Sequence, residues 1–464
     1  MKRLSGLDAS FLYLETSTQL LHVCGVFVLQ PDSIPGGYSF ATMRAELGRR
    51  VAAVPEFRQK LRRVPLDLDH PVWVDDTDFD IDRHVHRLAL PAPGGDAELA
   101  EVAGHLAGIP LDRSRPLWEM WLIEGLADGR IAVFSKMHHA TVDGMSGMNL
   151  LAHLCSLEPE APAPPELALD RHAPGELNLL GRAVVRTATR PLQLAKLVAP
   201  TVGALSGSLG RARRGAAMAA PFTAPRTPFN GTISGHRTIA FVSLDLAKVK
   251  AVKNATGSTV NDVVLTMCGG ALRRYLAGRD ALPETSLLAT VPVSVRDSDK
   301  VSGANQVSAL FSRLGTDVED PLERLGQLSE SNRTAKDHQQ AIPAEALQEW
   351  AELAAPKTFG LAVRVYSGLR LAEKHKVVHN LVISNVPGPP VPVYFMGALI
   401  EAMYPLGPIF HGAGLNITVI SSNGRIHVGI IGCAEAAPDL WDLAKHVPDE
   451  LEALVAACGT GDED

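Results

Sequence analysis

A chain of 464 residues exceeds the size at which a single hydrophobic core stops growing, so two domains are expected. Hydrophobic residues make up 46% and charged residues 20%, an ordinary globular balance, and the net charge of −7 leaves no electrostatic footprint for nucleic acid. No apolar run reaches the roughly 20 residues a membrane-spanning helix needs, and Asp8 stands where a signal peptide would carry its apolar core, so a cytosolic protein is expected. The five cysteines (Cys24, Cys155, Cys268, Cys433, Cys458) are scattered, which argues against a disulfide framework or a cysteine zinc site.

Residues 1–175 read as a first mixed α/β domain. Strands are expected over 22–30 and 118–125, helices over 40–54 and 96–106, and a Pro-, Ala- and Glu-rich break over 158–165. Residues 176–225 read as a basic, partly helical linker interrupted by Pro191 and Pro200. From Leu177 to Leu244 there is no acidic residue, while Arg182, Arg186, Arg190, Lys196, Arg211, Arg213 and Arg214 alternate with Leu and Val. Two readings stay open for it: a crossover packed on the protein, or a surface for anionic lipid, to which each basic residue adds about 1 kcal/mol. Residues 226–464 return to α/β, with a helix over 261–276 and strands over 287–295, 381–384, 415–421 and 426–432. Two halves of similar size and class suggest two similar domains facing each other.

The chemistry concentrates in His138-His139-Ala140-Thr141-Val142-Asp143-Gly144. An apolar strand over 131–137 precedes it and a helix-like stretch over 145–155 follows. Imidazole has an unperturbed pKa of ~6.5, so a neutral His can take a proton from an alcohol and pass it on. His139 is the candidate base, with His138 beside it. Asp143 has two readings: it orients the imidazole as in a Ser-His-Asp triad, or it pairs with Arg296 after the strand at 291–295 and locks the loop. The second is favoured. Gly144 permits a backbone turn or a close substrate approach that a Cβ would block. A metal site is disfavoured, because no further ligand stands at customary spacing and no His-Glu-x-x-His occurs. Neither a Gly-x-Ser-x-Gly elbow nor a P-loop or dinucleotide fingerprint is present.

The His138-His139-x-x-x-Asp143-Gly144 motif resembles that of coenzyme-A-dependent acyltransferases with the chloramphenicol-acetyltransferase-like fold. Leu7 to Glu15, Pro116-Leu117-Trp118-Glu119, Asn261-Asp262 and Ser384 to Pro389 narrow the likeness to the bacterial wax ester synthase/diacylglycerol acyltransferase family, over about residues 4–455. The resemblance implies an α/β fold of two chloramphenicol-acetyltransferase-like domains, mixed sheets flanked by helices, with a tunnel at their interface. It implies transfer of a long-chain acyl group from acyl-CoA, a co-substrate with no separate cofactor, to diacylglycerol, or to a fatty alcohol as a wax ester synthase would. Peripheral contact with a membrane or lipid droplet follows from such substrates. The second His of the motif, here His139, is the proton acceptor the family implies, and no acyl-enzyme is needed.

By the same analogy Asn261 supplies a hydrogen-bond donor near the site. Its competing reading is the N-cap of a helix beginning at Asp262. Glu15, in the N-terminal motif, either shapes the site or is a solvated or salt-bridged carboxylate. Three rival functions remain: a wax ester synthase, a carrier-protein-dependent acyltransferase, and a non-catalytic lipid-binding protein.

Overall fold

The computed structural model describes residues 2–141, 153–169, 175–189, 221–294, 307–339, 352 and 356–459. Asp143, Gly144 and Arg296 lie outside the described residues.

Two large mixed sheets form the frame. The first runs in the order β5 (Val85–Ala89), β6 (Trp118–Glu124), β7 (Ile131–His138), β2 (His22–Gln30), β14 (Ala398–Leu406), β13 (Tyr394–Phe395), β8 (Cys155–Ser156). The second runs β11 (Val307–Arg313), β10 (Leu288–Ser294), β12 (Leu381–Pro387), β15 (Leu415–Ser422), β16 (Arg425–Cys433), β9 (Arg237–Asp245). A small sheet joins β1 (Lys2–Arg3), β4 (Val72–Asp75) and β3 (Gln59–Arg62). The first sheet draws β13 and β14 from beyond residue 390, so both parts of the chain build it. The helix expected over 145–155 ends differently: Cys155 and Ser156 form an edge strand on Phe395 and Tyr394, whose backbone offers pairing partners no helix would use.

All eight residues of β7 are buried, as a central strand covered on both faces requires. On one face α2 (Phe40–Ala52) inserts Met43, Leu47 and Val51. On the other, α3 (Asp96–Ala107) inserts Leu99, Ala103 and Leu106. Lys136 on β7 is also buried. Its ammonium donates to the Leu106 and Ile109 carbonyls at the end of α3 and meets Glu119 at 3.1 Å, so a helix terminus and a carboxylate satisfy it.

The backbone approaches closely at two points where the parts of the frame meet. Gly104 of α3 approaches Arg237 of β9 so closely that a Cβ would stand 2.6 Å from the Arg237 carbonyl oxygen. Gly429 on β16 faces β14 more tightly still, with 2.0 Å between its hypothetical Cβ and the Pro405 carbonyl oxygen. In the described linker, a helix α4 over 176–189 buries Leu179 and Ala183. Beyond α5 (Leu246–Thr256), the second sheet is covered by α6 (Val260–Ala277), α7 (Pro321–Gln339) and α9 (Leu440–Ala457), while α8 (Pro356–Gly368) lies against the N-terminal helix α1 (Gly6–Leu14). None of the described helices is long and apolar enough to cross a membrane.

Candidate active site

The two histidines stand where β7 ends. The His138 amide donates to the Leu117 carbonyl at 2.9 Å, and the His139 amide to the Leu21 carbonyl at 2.8 Å, so the neighbouring strands fix the backbone on both sides. α1 closes over this end. The Ser5 hydroxyl caps it by accepting from the Asp8 amide, and Leu12 packs with Leu117 and Ala140 in one apolar cluster. Phe11 on the same helix stacks on the His139 ring, centroids 3.9 Å apart and planes 29° from parallel.

The rings have different duties. His138 Nδ1 accepts the Ala140 amide at 3.0 Å. Its proton therefore sits on Nε2, which donates to Glu15 Oε2 at 3.3 Å. Both nitrogens of His138 are committed to holding the turn. The Nδ1 of His139, by contrast, is enclosed and makes no hydrogen bond to another of the described residues. Burial, with the neighbouring His138 adding to it, pushes the His139 pKa down to about 4, so at neutral pH it is an uncharged base.

Glu15 is buried. Burial alone would raise its pKa, but the hydrogen bond from His138 and the Arg113 guanidinium outweigh this and hold it at about 2. Arg113 pairs directly with Oε2 and also donates to the Leu12 carbonyl at 3.1 Å, tying the carboxylate to the end of α1. Burial lowers the His138 pKa against the opposing pull of Glu15. Opposite it in the β2–β7 register lies His22, edge-on at 6.1 Å, with Nε2 3.6 Å from Glu15 Oε1. Burial lowers the His22 pKa to about 3, and neither ring nitrogen has a hydrogen-bond partner. The Thr141 hydroxyl is likewise buried and has no partner among the described residues. Orphaned polar atoms are rare in folded proteins, and their concentration here marks a place built for something other than stability.

Of the residues singled out in the sequence, Glu15, His138 and His139 come together. The segments around Asn261 and 384–389 meet each other: Asn385 Nδ2 donates to Asn261 Oδ1 at 3.4 Å. Asn261 is not the N-cap. Thr259 is, in a reciprocal capping box with Asp262, and α6 begins at Val260. Thr259 wins because Asp262 stands three residues on and returns the hydrogen bond. Asp262 is also held by Asn332 at 3.0 Å, which makes it a structural tie between α6 and α7. Sequence reasoning missed Phe11, His22 and Arg113. Phe11 lay inside the quoted N-terminal motif, and His22 opens a strand that pairs with the motif strand. Nothing local distinguishes Arg113.

A cavity of about 340 Å³ lies between the end of α1 and α8, lined by Leu14, Gln19, Ala362, Val363, Tyr366 and Phe410, with His411. A second, of about 370 Å³ beside α2, contains none of the motif residues.

A histidine pair at a strand end, held by a buried carboxylate and set among helix-flanked mixed sheets, defines a protein of the two-sheet acyltransferase and condensation class. The first condensation domain of the calcium-dependent antibiotic synthetase shares this fold, at 14% identity and a TM-score of 0.53, covering 97% of this chain and 94% of that one. The wax ester synthase/diacylglycerol acyltransferase from Marinobacter aquaeolei VT8 is similar at 33% identity and a TM-score of 0.72, covering 99% and 100%. Residues 4–264 match the wax ester synthase/diacylglycerol acyltransferase catalytic domain, and residues 303–455 the C-terminal domain of the same family. A putative diacylglycerol O-acyltransferase of Mycobacterium tuberculosis H37Rv is 48% identical over 98% of this chain and 90% of its own length. A probable diacylglycerol O-acyltransferase, tgs2, of the same strain is 36% identical over 97% and 98%. The chain belongs to the wax ester synthase/diacylglycerol acyltransferase family, and it is an acyltransferase.

Proposed function

We propose that this protein moves a long-chain acyl group from acyl-CoA to the free hydroxyl of diacylglycerol, with His139 as the base. The observation that carries the reading is the division of labour between the two rings. His138 spends both nitrogens on the turn and on Glu15, whereas His139 is neutral and uncommitted.

The acceptor oxygen attacks the thioester carbonyl while His139 takes its proton. The tetrahedral oxyanion then collapses, the carbon–sulfur bond breaks, and the imidazolium returns the proton to the departing thiolate. An ester and free coenzyme A result, with no acyl-enzyme, provided both substrates are bound together. Asn261 serves as a candidate oxyanion donor, since Thr259 relieves it of capping and Asn385 orients its amide. Loss of such a donor costs roughly 3–4 kcal/mol. In this reading Asp143 locks the loop with Arg296, and Gly144 lets the chain turn. The substrates' insolubility makes the protein a peripheral visitor to membrane or lipid droplet.

The test offers diacylglycerol and hexadecanol together with one long-chain acyl-CoA, and measures thiol release and both esters. Triacylglycerol formed faster, with matching thiol release, supports the reading. Faster wax ester reverses the order of acceptors, and lipid binding without thiol release removes the enzyme.

A further inference from the structure

Two helices carry their apolar residues on the wrong side. Leu361 and Val365 on α8, with Leu369 just past its end, follow one another at four-residue spacing and are between 47% and 57% exposed. On α4, Leu177, Val184 and Val185 are between 52% and 85% exposed, while Leu179 and Ala183 face inward. Exposed single hydrophobic residues are common, but two helices with this pattern on adjoining ground are not.

The helices rest on the same strip of surface. Thr187 of α4 donates to the Leu68 carbonyl at 3.2 Å, and Arg186 stands 3.6 Å from Asp69. His70, next in sequence, meets the Tyr13 hydroxyl at 2.8 Å, and the Tyr13 ring lies edge-on to Phe359 of α8 at 6.3 Å. Leu66, exposed at the margin of this strip, extends the apolar patch. The same elements carry exposed cations, Arg182 on α4, Arg364 on α8 and Lys374 and Lys376 in the segment after it, and Glu373 there is occupied by Arg370 at 2.8 Å.

We propose that the outward faces of α4 and α8 form one docking surface for an anionic lipid bilayer. Apolar side chains enter the boundary between headgroups and acyl chains, and the Arg and Lys stems reach headgroup phosphates. The surface adjoins the chemistry. α8 lines with Ala362, Val363 and Tyr366 the cavity beside α1, and α1 carries Phe11 against His139. A protein docked this way presents that cavity to the bilayer from which a lipid acceptor comes. The proposal rests on the lipid acceptor assigned above and specifies the face that meets it.

Co-sedimentation with vesicles of phosphatidylcholine alone, and of phosphatidylcholine with phosphatidylglycerol, tests it. The parent protein binds the anionic vesicles, and salt weakens the binding. The triple variant Leu361→Ser, Val365→Ser, Leu369→Ser loses on the order of tenfold in binding. The variant Arg182→Glu, Arg364→Glu loses only the preference for anionic vesicles. All proteins keep parental turnover of a detergent-dispersed acceptor. Binding of the triple variant equal to the parent's overturns the proposal. So does a parent dimer that the triple variant converts to monomer while vesicle binding stays intact, which would make this face a contact between two copies. A parent that turns over dispersed acceptor yet ignores every vesicle also overturns it, whereas absence of turnover in detergent strikes the acyltransferase reading instead.

Discussion

The Glu15 carboxylate and the His138 ring, 123 positions apart in the chain, meet at 3.3 Å beneath the turn that presents His139. The carboxylate accepts the only ring proton of His138, which leaves Nδ1 to accept the Ala140 amide. Glu15 therefore holds the turn that carries His139, the base of the proposed reaction.

Replacing Glu15 by Ala leaves the His138 N–H buried without an acceptor, at a cost of roughly 1–3 kcal/mol. Arg113 is half exposed, so losing its partner adds little. The expected outcome is a lowered denaturation midpoint together with reduced kcat. Glu15→Gln, which keeps an acceptor oxygen, is expected to recover much of both. Equal damage from the two variants, read by urea titration and turnover, would show that charge rather than the hydrogen bond matters.

The pH dependence of turnover should carry the mark of a buried imidazole. With the His139 pKa near 4, the base is already deprotonated well below neutrality. The acid limb of kcat/KM is expected near 4, in samples whose activity returns at pH 7. An acid limb near the unperturbed ~6.5 would point to a solvated histidine instead.

Stability should fall earlier than activity chemistry alone requires. Burial lowers His22 to about 3 and His379, His411 and His427 to about 4, all below the unfolded value of ~6.5. Between those limits the unfolded chain binds more protons, so the native state loses stability as pH drops from about 6.5 toward 4 and keeps its full share above that range. Urea midpoints at pH 7.5 and 5.5 measure it, with the lower midpoint expected at pH 5.5.

The junction between the two sheets leaves no space for a methyl group at Gly429. Gly429→Ala would drive a Cβ to 2.0 Å from the Pro405 carbonyl oxygen, and backbone must move to relieve it. The expected loss is about 1–3 kcal/mol or more, by urea titration. A variant as stable as the parent would mean that β14 and β16 are not packed as described.

Much of the frame was legible in local pattern. An apolar-alternating segment announced β7, periodicity announced α6, and the histidine pair fell at a strand end as its neighbours implied. Long-range placement was not legible. Nothing near residue 394 says that β13 and β14 will complete a sheet begun before residue 30, because strand pairing is decided by tertiary packing. Nothing local says that Lys136 is buried, because the carbonyls that satisfy it come from the end of α3. The cap of α6 was misassigned for a local reason: Asn261 is a good capping residue, but Thr259 with Asp262 makes two hydrogen bonds where Asn261 could make one. Glu15 was noticed through a motif, yet its partner, tautomer role and tie to Arg113 are properties of the folded chain.

The most direct measurement is the rate of coenzyme A thiol release by His139→Ala, beside the parent and His138→Ala, at saturating long-chain acyl-CoA and diacylglycerol. The account expects His139→Ala to keep the parental circular dichroism and melting transition while losing roughly a hundred- to ten-thousand-fold in turnover. A folded His139→Ala protein that releases thiol at close to the parental rate would contradict it.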